Sequence, residues 1–211
     1  ERFSEDALRL LRAVRFSAQL GFEIEPETLS AVKAQHGLLE FISKERIRDE
    51  FTKLIMTDRA HGGVDLLRET GLLKHIMPEL LEGVGCEQNQ HHIYDVYTHN
   101  LKSLEYSVTQ NHSLVIRLAA LLHDVGKPAT RAWKNSPKGT KMRAGKRGDW
   151  TFYSHQVVGA RMAMAMLERL KFSKEIIEKV GLMVYEHMFV YDPEVVTLAG
   201  VRRLLSRVGK E

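Results

Sequence analysis

"LLHDVGKPAT", residues 121–130, sets a histidine and an aspartate side by side directly after an apolar run. Leu118, Leu121 and Leu122 fall at helical spacing, so a helix runs up to His123-Asp124, and Gly126 and Pro128 stop it there. Neighbouring residues on a helix project about 100° apart, so such a doublet serves one point only where the helix is ending. A divalent metal ion supplies the purpose. It can take an imidazole nitrogen and a carboxylate oxygen from adjacent residues at a helix terminus, with Lys127 ready for a phosphate.

Working outward, the apolar periodicity is helical nearly everywhere and predicts an all-α fold. Ser4 reads as an N-cap with Glu5 and Asp6 in the first turn, Ala7, Leu11, Val14 and Ala18 form one apolar face, and Gly21 ends that helix. Further helices are expected after Pro26, after Ser43, over "HGGVDLLRETGLL", and near 94–108, 112–124, 154–170, 173–187 and 194–208. Val158, Met162, Met166 and Leu170 recur every fourth residue, which reads as core filling. Between Lys127 and Ser154 the chain is rich in Gly, Lys and Arg, and a long loop with room for a short hairpin before Phe152 is expected. The polar, glycine-bearing "LEGVGCEQNQ", residues 81–90, reads as a joint between residues 1–85 and 86–211.

Composition sets the outer limits. A chain of 211 residues with 44% hydrophobic content can fill one large core or two small ones. No apolar run approaches the roughly 20 residues needed to cross a bilayer, and no basic segment followed by an apolar one opens the chain. Cys86 is the single cysteine, so no intrachain disulfide can form, which fits a reducing cytoplasm. The net charge of +4 is mild, but it is concentrated. Arg9, Arg12 and Arg15 recur every third residue, and Lys127–Arg147 holds many Lys and Arg with no Asp or Glu. Either segment could meet phosphate, and either could be solvated surface.

The remaining metal ligands must come from other elements. His99 lies in the preceding helix, His155 opens the helix after the basic stretch, and His187 closes the next. Mixed nitrogen and oxygen donors suit manganese, nickel, cobalt, iron or zinc, with magnesium less favoured by so many imidazoles. His92 and Asp95, on the His99 side, could touch substrate or orient a ligand.

The order His99, His123-Asp124, His155, His187 resembles the HD superfamily of metal-dependent phosphohydrolases. That resemblance implies that His155 and His187 hold a second ion and that Asp124 bridges the two, with Asp124 and Lys127 as the catalytic pair. The family pattern ends on a distant Asp. Asp192 follows His187 closely, but the resemblance puts the closing Asp after a helix like "VRRLLSRVGKE", beyond Glu211, so the domain is expected to be truncated and its metal affinity reduced.

The start of the chain resembles a narrower family. "ERFSEDALRLLRAVRFSAQLGFEI", "ISKERIRDEF" and "GLLKHIMPEL" are similar to the neck and body of bacterial tRNA nucleotidyltransferases of the class that includes poly(A) polymerases. The resemblance implies a carboxy-terminal part of a CCA-adding enzyme or close relative, without its catalytic head, whose partners are tRNA and ATP or CTP. Asp6 and Arg9 would then template the incoming base, with Arg12 and Arg15 supporting the nucleotide and its triphosphate. The spacing turns these four away from the Ala7–Ala18 face, and an ordinary solvated face with a Glu5–Arg9 pair is the alternative. Two other functions compete: an independent phosphohydrolase acting on nucleotides, cyclic phosphates or RNA ends, and an RNA-binding body with vestigial histidines. No oligomeric state can be read from the chain.

Overall fold

The computed structural model describes residues 2–89, 93–136, 141–143, 145–189 and 196–209. The amino-terminal part is built from α1 (Arg2–Glu5), α2 (Leu8–Leu20), α3 (Pro26–Gln35), α4 (Lys44–Ile55), α5 (Ala60–Glu69) and α6 (Leu73–Ile76), with 3-10 turns at His36–Phe41 and Pro78–Gly83. The expected first helix is split. Ser4 lies within α1, and the chain breaks at Asp6, whose carboxylate accepts from the Leu8 N–H at 3.2 Å. That local bond offers the backbone an alternative to the helical ladder. Downstream the reading holds: Ala7, Leu11, Val14 and Ala18 are buried, and Gly21, at φ 73°, lets the chain leave α2 through the left-handed region.

The second part follows as α7 (Val96–Thr109), α8 (Leu114–Leu122), α9 (Lys127–Thr130), α10 (His155–Arg169), α11 (Lys174–Glu186) and α12 (Leu198–Val208). Met166 and Leu170 are fully buried and Met162 packs against the core, as their spacing predicts. Between α9 and α10 the expected hairpin before Phe152 is present as β2 (Lys141–Arg143) and β3 (Lys146–Thr151), and β1 (Ala132–Asn135), expected as loop, adds a third antiparallel strand in the order β1-β3-β2. The sheet's alternation is hidden in the sequence because both faces carry cations. Among the described residues the regular structure is helical apart from this sheet.

One apolar core runs through both parts, from Leu8 and Phe51 to Leu121, Leu167 and Val184. A buried arginine helps to join them. Arg117 of α8 donates to the carbonyls of Ile55 and Thr57 at 3.0 and 3.1 Å, and to that of His112 at 3.0 Å. The carbonyls left without partners at the end of α4 thus fix the orientation of α8, and α8 delivers the His-Asp doublet.

Candidate metal centre

Four elements converge on Asp124. The doublet stands at the end of α8, His99 projects from α7, His155 is the first residue of α10, and His187 follows the last turn of α11. Asp124 is 1% exposed. One oxygen, Oδ2, lies 3.4 Å from His99 Nε2 and 3.3 Å from His123 Nε2. The other, Oδ1, lies 3.3 Å from His155 Nε2 and 3.5 Å from His187 Nε2. Two triads therefore share one carboxylate, and within each the candidate donor atoms lie within 4.8 Å of one another. The five residues expected from sequence to form a site are brought together.

The hydrogen bonds assign the imidazoles. Nδ1 of His123 meets the carbonyl of Ala120 at 2.9 Å, Nδ1 of His155 that of Phe152 at 2.8 Å, and Nδ1 of His187 that of Val184 at 2.6 Å. Each carbonyl requires a proton on Nδ1, which leaves the Nε2 lone pair of the neutral ring facing inward. His99 and His123 then approach Nε2 to Nε2 at 3.1 Å, and His155 and His187 at 3.2 Å. In the His155–His187 pair both Nε2 atoms carry lone pairs, and at this distance they repel unless a cation lies between them. Oδ1 of Asp124 is buried with no hydrogen-bond partner among the described residues. A divalent ion in each triad would satisfy both the nitrogens and this oxygen, so the residues fit the pair of ions that the spacing suggests.

Lys127 is placed differently from the sequence expectation. It is buried, and its Nζ sits 2.6 Å from Asp124 Oδ2 and donates to Gln88 Oε1 at 2.6 Å. It neutralises the carboxylate at the floor of the site and does not stand open for a phosphate. Gln88 had no signal in the sequence, since only the fold brings the 81–90 joint against α9. Gly126 has a further role beside ending a helix: a Cβ there would come 2.4 Å from the His155 carbonyl and 2.5 Å from the Gly159 nitrogen. Its missing side chain lets α10 approach the doublet. Asp95 caps α7, accepting from Thr98 N and Gly85 N at 2.7 Å each, and so holds the helix that carries His99. His92 and Asp192 lie outside the described residues. A groove of about 570 Å³ opens beside His99, His123 and His187, with Tyr94, Lys102 and Tyr106 on its walls.

The four neck residues divide. Asp6 pairs with Arg46 at 3.2 Å, and Arg9 pairs with Glu5 at 3.0 Å. Both pairs are at the surface. Arg12 is half exposed, 3.5 Å from Glu50. Arg15 is buried, donating to Glu50 Oε2 at 2.8 Å and stacking its guanidinium 3.9 Å from the Phe16 ring centre. The expectation that Arg15 meets a triphosphate does not match this burial, because the period of three carries it round to the α4 side of the helix.

Residues 91–207 match the HD domain family, and residues 21–83 match the family described as "Probable RNA and SrmB- binding site of polymerase A". The chain is 36% identical over 190 residues to the A-adding tRNA nucleotidyltransferase of Deinococcus radiodurans, covering 87% of this chain and 42% of that protein. It is 35% identical over 195 residues to the CC-adding tRNA nucleotidyltransferase of Thermus thermophilus, covering 89% and 43%. A Multifunctional CCA protein of Acinetobacter baumannii is 40% identical over 139 residues, 63% of this chain and 34% of that protein. The chain thus spans less than half the length of these relatives. No helix among the described residues is long and apolar enough to cross a membrane. With an HD match over more than half its residues, and a segment matching the probable RNA-binding site of polymerase A ahead of it, the chain belongs to the HD domain family and over most of its length is similar to tRNA nucleotidyltransferases.

Proposed function

We propose that this chain acts as the neck, body and HD domain of a tRNA nucleotidyltransferase that adds C and A to tRNA 3′ ends, and that its His/Asp centre is a metal-dependent phosphohydrolase. The join falls near residues 85 and 86. Transfer from ATP or CTP belongs to a catalytic head that these residues do not include. The observation that carries the hydrolytic reading is the sharing of Asp124, one oxygen to each pair of imidazoles.

The donor set favours manganese, nickel, cobalt, iron or zinc over magnesium. When bound, such a pair supplies Lewis acidity toward water and phosphate oxygens. The chain's own residues do the rest. The carbonyls of Ala120, Phe152 and Val184 aim three imidazoles inward, Lys127 balances the charge of Asp124, and Gln88 holds Lys127 in place. The groove walled by Tyr94, Lys102 and Tyr106 offers aromatic and cationic contacts to a nucleotide or RNA end, which also supports the reading of an HD domain acting by itself.

In the neck, Asp6 and Arg9 recognise the base and Arg12 supports the nucleotide, while Arg15 positions α2 against α4. Asp6 and Arg9 would give up Arg46 and Glu5 to do so, and exposed pairs of this kind cost little to open. The hydrolytic test is direct. The chain is loaded with manganese or nickel and assayed on a phosphomonoester and a 2′,3′-cyclic nucleotide, with Asp124→Asn as control. Hydrolysis that disappears in the control is expected. A parent chain that takes up metal yet hydrolyses neither substrate would leave an RNA-holding HD body.

A further inference from the structure

Eight Lys and Arg occur from Lys127 to Arg147 with no Asp or Glu, and the metal centre uses only Lys127. Several of the others surround an aromatic pair on the small sheet. Trp133 stands opposite Trp150 in the β1–β3 register, with ring centroids 5.1 Å apart and planes at 82°. Gly148 makes room for this pair: a Cβ there would lie 2.9 Å from the Trp133 indole. Arg131 lays its guanidinium 3.7 Å from the Trp150 ring centre, and Arg143 approaches the same ring at 5.2 Å. Lys134, Arg143, Lys146 and Arg147 are exposed. So is Tyr153, whose hydroxyl accepts from Lys134 at 3.4 Å.

A cross-strand tryptophan pair stabilises the β1–β3 pairing. The cations around it do the opposite. Arg143 is directly opposite Lys146 in the β2–β3 register, and like charges so placed weaken a sheet. A polyanion relieves that repulsion. Indole and guanidinium planes additionally stack on unpaired bases without regard to sequence, whereas a duplex keeps its base faces buried.

We propose that the β1-β3-β2 sheet binds single-stranded RNA, with Trp133, Trp150 and Arg131 stacking bases and Arg143, Lys146 and Arg147 holding phosphates. The sheet also points somewhere. β3 ends at Thr151, and the next carbonyl, that of Phe152, accepts from Nδ1 of His155 at 2.8 Å. An RNA strand on β3 therefore lies beside the metal centre. Delivery of an RNA end to that centre rests on the phosphohydrolase reading; binding to the sheet does not.

Both tryptophans of the chain are in this sheet, so tryptophan fluorescence, excited to the red of tyrosine absorption, reports on it alone. The metal-free chain is titrated with unlabelled oligo(A) and oligo(C) of about 10 nucleotides, within the span that single-strand grooves accept. Saturable quenching that weakens with added salt is expected. Arg143→Glu with Lys146→Glu should reduce affinity about 10-fold or more and flatten the salt dependence, while Lys174→Glu, an exposed charge reversal on α11, leaves the quenching unchanged. The proposal is overturned by RNA that fails to alter the fluorescence, by duplex RNA of the same length binding as tightly, or by unchanged affinity in a charge-reversal variant that melts like the parent. Should the double reversal unfold the sheet, Lys146→Ala and Arg147→Ala carry the test at exposed positions, and unchanged affinity in both overturns it equally.

Discussion

Nε of Arg15 donates to Oε2 of Glu50 at 2.8 Å with both side chains buried, so α2 is fastened to α4 by a charge pair. Glu50 also gathers Lys53 at 3.2 Å and Arg12 at 3.5 Å. Removing one partner of such a pair leaves the other charged in a poorly solvated place. Glu50→Ala should therefore cost about 3 kcal/mol in denaturant unfolding, far more than Glu5→Ala, which breaks only the exposed pair with Arg9. Equal effects of the two substitutions would show that the buried pair does not fasten the helices.

The same carboxylate gives stability a pH dependence. Burial pushes the Glu50 carboxyl up, but hydrogen bonds from Arg15 and Lys53 outweigh it and leave it below the ordinary value of 4.5. A carboxyl lowered by folding contributes stability that is fully present above 4.5 and lost as pH falls through the folded value. Thermal melts of the parent should decline over that acid range. Glu50→Gln should melt lower at pH 7 and lose part of the decline; an identical acid profile in the variant would contradict the assignment.

Two triads on one carboxylate predict two ions and a specific pattern of loss. His99→Ala should leave about one ion bound, as should His187→Ala, and Asp124→Asn should weaken both sites. Elemental analysis after manganese or nickel loading reads the count. At free metal about 100-fold above Kd, binding adds about 2.7 kcal/mol per site to the stability of the parent. A single ion in the parent, unaffected by His187→Ala, would place all ligation on the His99 side.

Gly126→Ala should be far more damaging than a glycine outside a helix ordinarily suggests. Its Cβ would collide with backbone of α10, including the carbonyl of His155, and backbone cannot rotate away as a side chain does. A loss of about 3 kcal/mol is expected, together with weaker metal uptake, because α10 must move away from Asp124. Unchanged stability and uptake would mean that α9 and α10 tolerate a wider separation.

Asp95→Ala tests the hold on His99 without touching a ligand. It removes the α7 cap and the bond to Gly85, at a cost of about 1 kcal/mol. Hydrogen exchange should rise at Gly85 and Thr98. Exchange limited to the helix end, with Gly85 protected as before, would show that the joint is held by other contacts.

The sequence by itself determined most of the helices and named the four histidines and the aspartate that the fold brings together. Their signals are local or chemical: apolar residues at helical spacing mark α2, α8 and α10, and a His-Asp doublet before Gly126 and Pro128 has few uses apart from a metal. The histidines on three other helices could be named because imidazole is a distinctive donor wherever it stands. Only the tertiary structure decided what was charged and where it pointed. Arg15 and Lys127 read as phosphate ligands because both are cations in a promising context, yet each is buried against a carboxylate, Glu50 from another helix in one case and Asp124 in the other. The pairing of Trp133 with Trp150 spans seventeen residues and required the β1–β3 register before it existed at all. Arg117, Gln88 and Gly126 matter through backbone and side chains distant in the chain. Periodicity reveals which face of a helix is buried, but the partner of a buried charge is set by long-range packing, and that information is carried by the whole fold and by no single stretch of it.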